Sequence, residues 1–318
     1  MITASLGDSV KTVLDDCLGV RSGEQVLVVT DPAKLPIATA LVAGARGMGA
    51  EAVLLEMAER ETHGTEPPGA VAAAMLECDV LIAPTAKSLS HTEARRAACE
   101  KGVRAATMPD ITTEMLARTM SADFDAVRRR SRAVAQLLTD GSEVRITSHK
   151  GSDLTLSIEG REAISDDGDL REKGAFGNLP AGEGFVAPVE GRTNGRLVID
   201  GTIWPLGLLQ DPLVVDFESG YATGIGGPGA ERFRAALEPY GREAFAVAEL
   251  GIGTNEAATL TGNVLEDEKI LGTIHLAVGD NHSFGGTVRV PSHQDGIVLD
   301  PTVWIDDKVV LEGGKLLV

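Results

Sequence analysis

Three of the six histidines in this 318-residue chain fall within 19 positions, His275, His282 and His293. His293-Gln294-Asp295 places an imidazole and a carboxylate at i and i+2, and on a strand these two side chains leave the same face. Converging on one point, they suit Zn(II), Fe(II), Mn(II) or Co(II), all of which accept mixed nitrogen and oxygen ligands. His275 interrupts the apolar stretch Gly272-Thr-Ile-His-Leu-Ala-Val-Gly279, and a histidine buried in a strand needs partners. Glu249 follows the apolar run Phe245–Ala248, and Glu183 stands between Gly182 and Gly184, which allow close approach of backbone and ligand. A lone His-x-Asp pair is more often an ordinary surface pair, and a lone glutamate more often a salt-bridge or turn residue. Taken together, two histidines and two or three carboxylates are enough for metal-assisted hydrolysis.

Something must position those side chains, and the hydrophobic pattern predicts what. Residues 1–20 read as a helix with Val10, Val13, Leu14 and Leu18 on one face. Short apolar runs at 25–30, 52–56, 79–83 and 103–108 read as buried strands. Helices at 35–48, 68–76 and 93–101 alternate with them, which predicts a parallel sheet covered on both faces. A long helix near 121–138 closes this part. Beyond it, alternating segments at 144–147, 154–158, 185–188, 197–199, 213–217 and 309–311 predict strands, with one clear helix at 230–237. The fold class is therefore α/β: an N-terminal parallel-sheet domain over 1–140, and a β-rich α+β metal-binding domain over 141–318.

Composition excludes several roles. The net charge of −18 repels phosphate backbones, so no nucleic-acid partner is expected. Arg128-Arg129-Arg130 and Arg132 read as a solvated helix face. No Gly-rich phosphate loop follows the first strand. Gly224-Ile-Gly-Gly-Pro-Gly229 matches the dinucleotide pattern but lies outside any βαβ unit, so it reads as a tight glycine turn. Three widely spaced cysteines read as reduced thiols, no apolar run is long enough for a membrane span, and the first residues show no secretion signal. A cytoplasmic location with no membrane partner is the expectation.

The segments Asn178–Pro188, Glu249–Asn255, Glu268–Gly279 (EKILGTIHLAVG) and His293–Val298 (HQDGIV) resemble the aminopeptidase T family of metallopeptidases. Weaker similarity covers the N-terminal half, including Asp79-Val-Leu-Ile. The resemblance implies two divalent metals (Zn, Co or Mn), with Glu183, Glu249, His275 and Asp295 at metal-binding positions and His293 in the same centre. It also implies a homodimer. The family usually carries a tyrosine near the position of His282, so His282 is a candidate donor to a developing oxyanion or a third ligand.

The expected activity is then removal of N-terminal residues from small peptides or amino-acyl amides by metal-activated water. Glu183 or Glu249 would shuttle the proton and His282 would assist. The alternative is a mononuclear Fe(II) ring-cleaving dioxygenase acting on a dihydroxypyridine-like substrate, in which His275 or His282 joins His293 and Asp295 in a two-histidine, one-carboxylate set. The same structural family includes such dioxygenases, with a histidine at the position of Glu249. Glu249 here weighs towards the hydrolase.

Overall fold

The computed structural model describes residues 6–318, so residues 1–5 of the expected first helix lie outside the described residues. Contacts divide the chain into two compact units. The first runs to Phe124 and takes in Gly168–Ala181, and the second comprises Asp125–Asp167 and Gly182–Val318.

The first unit is a five-stranded sheet. Its order is Glu51–Glu56, Gln25–Thr30, Val80–Thr85, Arg104–Pro109 and Phe176–Asn178, with every neighbouring pair parallel. Buried on both faces, its strands read as near-continuous Val, Ile, Leu and Ala runs. Leu27, Val29, Leu81, Ala83 and Ala105 form one apolar cluster with Val71 and Met75 of helix Gly69–Met75 and Ala94 and Ala98 of helix Glu93–Glu100. Helix Leu35–Gly47 packs on Gln25–Thr30 and Glu51–Glu56 and also meets helix Leu6–Lys11, which continues as a π-helical turn over Thr12–Cys17. Val10, Val13, Leu14 and Leu18 are all buried, as the apolar spacing requires. Helix Thr113–Thr119 escapes the sequence pattern. Its N-terminus is capped by Thr112, whose Oγ1 accepts from the Met115 amide at 3.1 Å.

The second unit holds two antiparallel sheets. The eight-stranded one has the order Tyr221–Gly226, Leu213–Glu218, Thr193–Ile199, Asp153–Ser157, Glu143–Thr147, Thr302–Ile305, Lys308–Glu312 and Lys315–Leu316. The seven-stranded one has the order Gly207–Leu208, Thr202–Ile203, His293–Val298, Ile274–Gly279, Val247–Gly253, Glu183–Val186 and Ile164–Asp166. One apolar cluster joins them. Val144, Ile146, Leu154, Leu156, Leu197 and Val215 come from the first sheet; Val186, Leu250, Ile252, Ile274, Leu276 and Val278 come from the second. Each such side chain removed from water contributes roughly 1.5–3 kcal/mol. Because strands alternate, the residues between those of the second set leave the opposite face of the seven-stranded sheet. That face carries the site.

Two expectations need correction here. The arginine run is a solvated face only in part: Arg129 and Arg132 are exposed, but Arg128 is buried and pairs with Asp125 at 3.3 Å, Arg130 pairs with Glu256, and Arg132 bonds Asp167 at 2.5 Å. Gly224 and Gly226 lie within the antiparallel strand Tyr221–Gly226. The turn falls at Gly227, whose positive φ of 102° and crowding against Pro212 O require glycine. No helix among the described residues is long and apolar enough to cross a membrane.

Candidate metal centre

Register decides which side chains meet. Glu183 pairs with Gly253, Phe185 with Gly251, Gly251 with His275, Glu249 with Ala277, Ala277 with Asp295, and Gly279 with His293. Directly opposed residues share a face, so Glu183, Glu249, His275, His293 and Asp295 all leave the same side of the sheet. Glycines and an alanine leave room between them. A Cβ on Gly251 would lie 2.1 Å from His275 Nε2, so only glycine lets the imidazole lie across the neighbouring strand. A β-bulge between Val247 and Glu249 adds one residue. It allows Val247 to enter the apolar core while Glu249, two positions on, faces the other way.

The side chains then converge. His275 Nε2 stands 3.0 Å from Glu183 Oε2 and 3.2 Å from Glu249 Oε1, and His293 Nε2 stands 3.5 Å from Glu249 Oε2 and 3.4 Å from Asp295 Oδ1. One donor atom from each of Glu183, Glu249 and His275 lies within 4.8 Å of the others; the same holds for Glu249, His293 and Asp295, and Glu249 belongs to both groups. His293 is oriented through Nδ1, which donates to Asp280 O at 2.7 Å, leaving Nε2 directed at the carboxylates.

Burial disfavours the charged form of every group here, and the neighbours decide the outcome. It pushes the Glu249 carboxyl above its ordinary range. Against burial, Lys269 and His275 draw Glu183 below that range, and His293 draws Asp295 down to about 2. Also against burial, Asp295 and Glu249 hold the His293 imidazole up at about 10, and Glu183 with Glu249 holds His275 well above its usual value.

Unsatisfied atoms test whether a metal fits. Glu183 Oε2 and Asp295 Oδ1 are buried and have no hydrogen-bond partner. Glu183 Oε2 faces His275 Nε2 at 3.0 Å without hydrogen-bond geometry. Two buried carboxylate oxygens without a donor, set beside two imidazole nitrogens, make a nitrogen and oxygen ligand set that suits Fe(II), Mn(II), Co(II) or Zn(II). The residues fit a divalent cation.

His282 is not brought to the cluster. It lies on an exposed 3-10 turn with its Nε2 against Arg289 Nη2, and it belongs to neither donor group found among the described residues. The next residue but one does reach the site: Phe284 packs edge-on against His293 with ring centroids 5.9 Å apart, and against Phe185 at 5.6 Å. Sequence reasoning passed over Phe284 and Phe185. It also passed over Lys269, Asp166 and Glu268, which meet beside Glu183. The only signal in the sequence for Glu268 and Lys269 is the charged run Glu266-Asp-Glu-Lys269, shortly before the His275 strand, and nothing there singles out Asp166.

The fold and the cluster define a mixed α/β protein with a candidate divalent-metal centre on one face of an antiparallel sheet. The family profile for NicX, 2,5-dihydroxypyridine 5,6-dioxygenase, matches residues 5–318, and the chain belongs to that family of enzymes. A 2,5-dihydroxypyridine 5,6-dioxygenase of Pseudomonas putida is 27% identical over 218 residues, which cover 64% of this chain and 62% of the relative's length. The structure of 2,5-dihydroxypyridine dioxygenase from Pseudomonas putida KT2440 has a similar fold, with a TM-score of 0.85 and 22% identity, covering 98% of this chain and 96% of that one. Wild-type AmpT from Thermus thermophilus also shares the fold, with a TM-score of 0.73 and 16% identity over 98% of this chain and 99% of its own.

These findings correct the reading from sequence. The family is the dioxygenase one and not aminopeptidase T, so the hydrolase, aminopeptidase and protease assignments fall. With AmpT the chain shares the fold.

Proposed function

We propose that this chain is an Fe(II)-dependent dioxygenase that opens the ring of a dihydroxypyridine-like substrate. The observation that carries this reading is the family match along residues 5–318. His275, His293 and Asp295, which leave one face of the sheet, supply two histidines and one carboxylate for a single Fe(II), and the free Oε2 of Glu183 beside His275 adds a further oxygen ligand. One iron then replaces the pair of Zn, Co or Mn ions that the peptidase resemblance implied. When bound there, Fe(II) supplies the one-electron chemistry that lets O₂ react with an electron-rich ring.

The chain's own residues do the rest. Glu249, its carboxyl raised by burial and within 3.5 Å of both imidazoles, receives the proton of a ring hydroxyl as the substrate enters. Its presence, which in the sequence alone weighs towards hydrolysis, serves proton transfer equally well. Phe284 and Phe185 present an apolar aromatic edge beside His293, suited to a flat heteroaromatic substrate. That wall is notable in a chain with only seven phenylalanines, because it sets two of them at the site.

The test is direct. Protein loaded anaerobically with Fe(II) and mixed with 2,5-dihydroxypyridine is expected to consume one O₂ per substrate lost, read with an oxygen electrode and by the ring's ultraviolet absorbance. An iron-loaded protein that takes up no O₂ with any dihydroxypyridine isomer overturns the reading.

A further inference from the structure

Lys269 is fully buried, with side-chain exposure of 0%, and three carboxylates meet its ammonium group. Nζ lies 3.3 Å from Asp166 Oδ2 and 2.9 Å from Glu268 Oε1, and it donates a hydrogen bond to Glu183 Oε1. The three partners are themselves 7–13% exposed. Lysine is almost never buried to this extent without pairing, and a point charge with three donors matches three acceptors. The arrangement is also asymmetric at Glu183. Oε1 belongs to Lys269, whereas Oε2 is turned to His275 Nε2 and has no hydrogen bond of its own.

Local structure explains how these groups arrive together. Asp166 is paired with Glu183 across neighbouring strands, so both leave the same face. Glu268 and Lys269 follow the short helix Val264–Asp267, whose end is fixed by buried side chains. Glu266 Oε1 accepts from the Thr259 amide at 2.9 Å, and Asp267 accepts from the amides of Thr261 and Gly262 at 2.7 and 2.8 Å. Lys269 O in turn accepts from the Asn255 amide at 2.9 Å. The ammonium group is therefore carried on a rigid segment, not on a mobile loop.

We infer that Lys269 is the positioning residue of the metal centre: by holding Oε1 of Glu183 it commits Oε2 to the divalent cation and sorts the buried carboxylates into a lysine-bound set and a metal-facing set. The lysine-bound set is Asp166, Glu183 and Glu268; the metal-facing set is Glu249 and Asp295, joined by the free oxygen of Glu183. Removal of the ammonium leaves the first set with no counter-charge in a buried place. Glu183 is then free to turn, and its oxygen is lost to the metal. This inference rests on the metal part of the proposed function and is independent of the substrate.

Co(II) alone is the probe, because its visible spectrum reports ligand number and arrangement. Lys269→Met keeps an unbranched side chain one atom shorter and removes the charge. The expected result is a Co(II) Kd weakened by about 10- to 100-fold, the range for loss of a group that orients a ligand, together with an altered cobalt spectrum. Should Lys269→Met fail to fold, the triple variant Lys269→Met/Asp166→Asn/Glu268→Gln removes two of the three stranded charges and is read in the same way. A double-mutant cycle supplies the second readout: in a Glu183→Gln background, Lys269→Met is expected to change Co(II) affinity less than threefold. A folded Lys269 variant with wild-type spectrum and unchanged or tighter Kd overturns the inference, as does an undiminished effect of Lys269→Met in the Glu183→Gln background. Wild-type protein that binds no Co(II) overturns the metal reading and this inference with it, whereas Co(II) binding together with no ring cleavage by the Fe(II)-loaded protein overturns only the substrate assignment.

Discussion

The two antiparallel sheets of the second unit share a core and differ in what they turn away from it. The eight-stranded sheet carries ion pairs there, Arg145 with Asp153 and Arg196 with Asp216, each side chain 45–64% exposed. The seven-stranded sheet carries Asp166, Glu183, Glu249, His275, His293 and Asp295, most of them almost fully buried. Both alternate apolar with polar along their strands. In one the polar set is polar because it is wet; in the other it is polar because it holds ligands. The difference teaches that alternation locates a face and says nothing of its purpose, and that burial of the polar set is what separates the two.

Substitutions test that contrast, and the largest effect belongs to the seven-stranded sheet. Asp295→Ala and His293→Ala are expected to lose bound iron, measured by metal analysis, and to lower O₂ uptake by at least about 100-fold, more than the loss of a supporting residue. Leu154→Ala, in the core below the eight-stranded sheet, is expected to cost about 2–5 kcal/mol in denaturant unfolding and to leave Co(II) affinity as it was. Were Leu154→Ala to weaken the metal as strongly as it weakens the fold, the two faces could not be treated as separate. Removing the metal with EDTA is expected to lower stability by about 2.7 kcal/mol relative to protein with free metal at a hundred times its Kd, seen as a drop in Tm. Gly251→Ala forces a methyl group onto the His275 ring and is expected to cost about 1–3 kcal/mol along with a changed cobalt spectrum. The smallest effect is predicted for Arg196→Ala, with an unfolding midpoint indistinguishable from wild type in denaturant, since Arg196 and its partner Asp216 are both exposed.

How much of this can be read from residues alone varies by element. Strands such as Gln25–Thr30 announce themselves because both faces are buried and the run is valine-rich. Phe176–Asn178, the fifth strand of the parallel sheet, does not: three residues with a central glycine carry no period, and the pairing comes from Ala105–Thr107 far away in sequence. Tyr221–Gly226 is hidden by its own glycines. At the site, spacing and resemblance single out Glu183, Glu249, His275, His293 and Asp295, and register brings all five together. Lys269 stays hidden because a charged run reads as solvated, and only the arrival of Asp166 and Glu183 from other strands makes its burial tolerable. The class of reaction is misjudged from Glu249, a side chain compatible with hydrolysis and with ring cleavage alike.

The bulge at Val247–Glu249 carries one more consequence. In an unbroken strand, residues two apart point the same way, so Val247 and Glu249 would compete for one environment. A single inserted residue releases them from that bond. The extra residue reverses the facing of every side chain on the Val247 side of the bulge, whereas Glu249, opposite Ala277, keeps its place among the ligands with or without it.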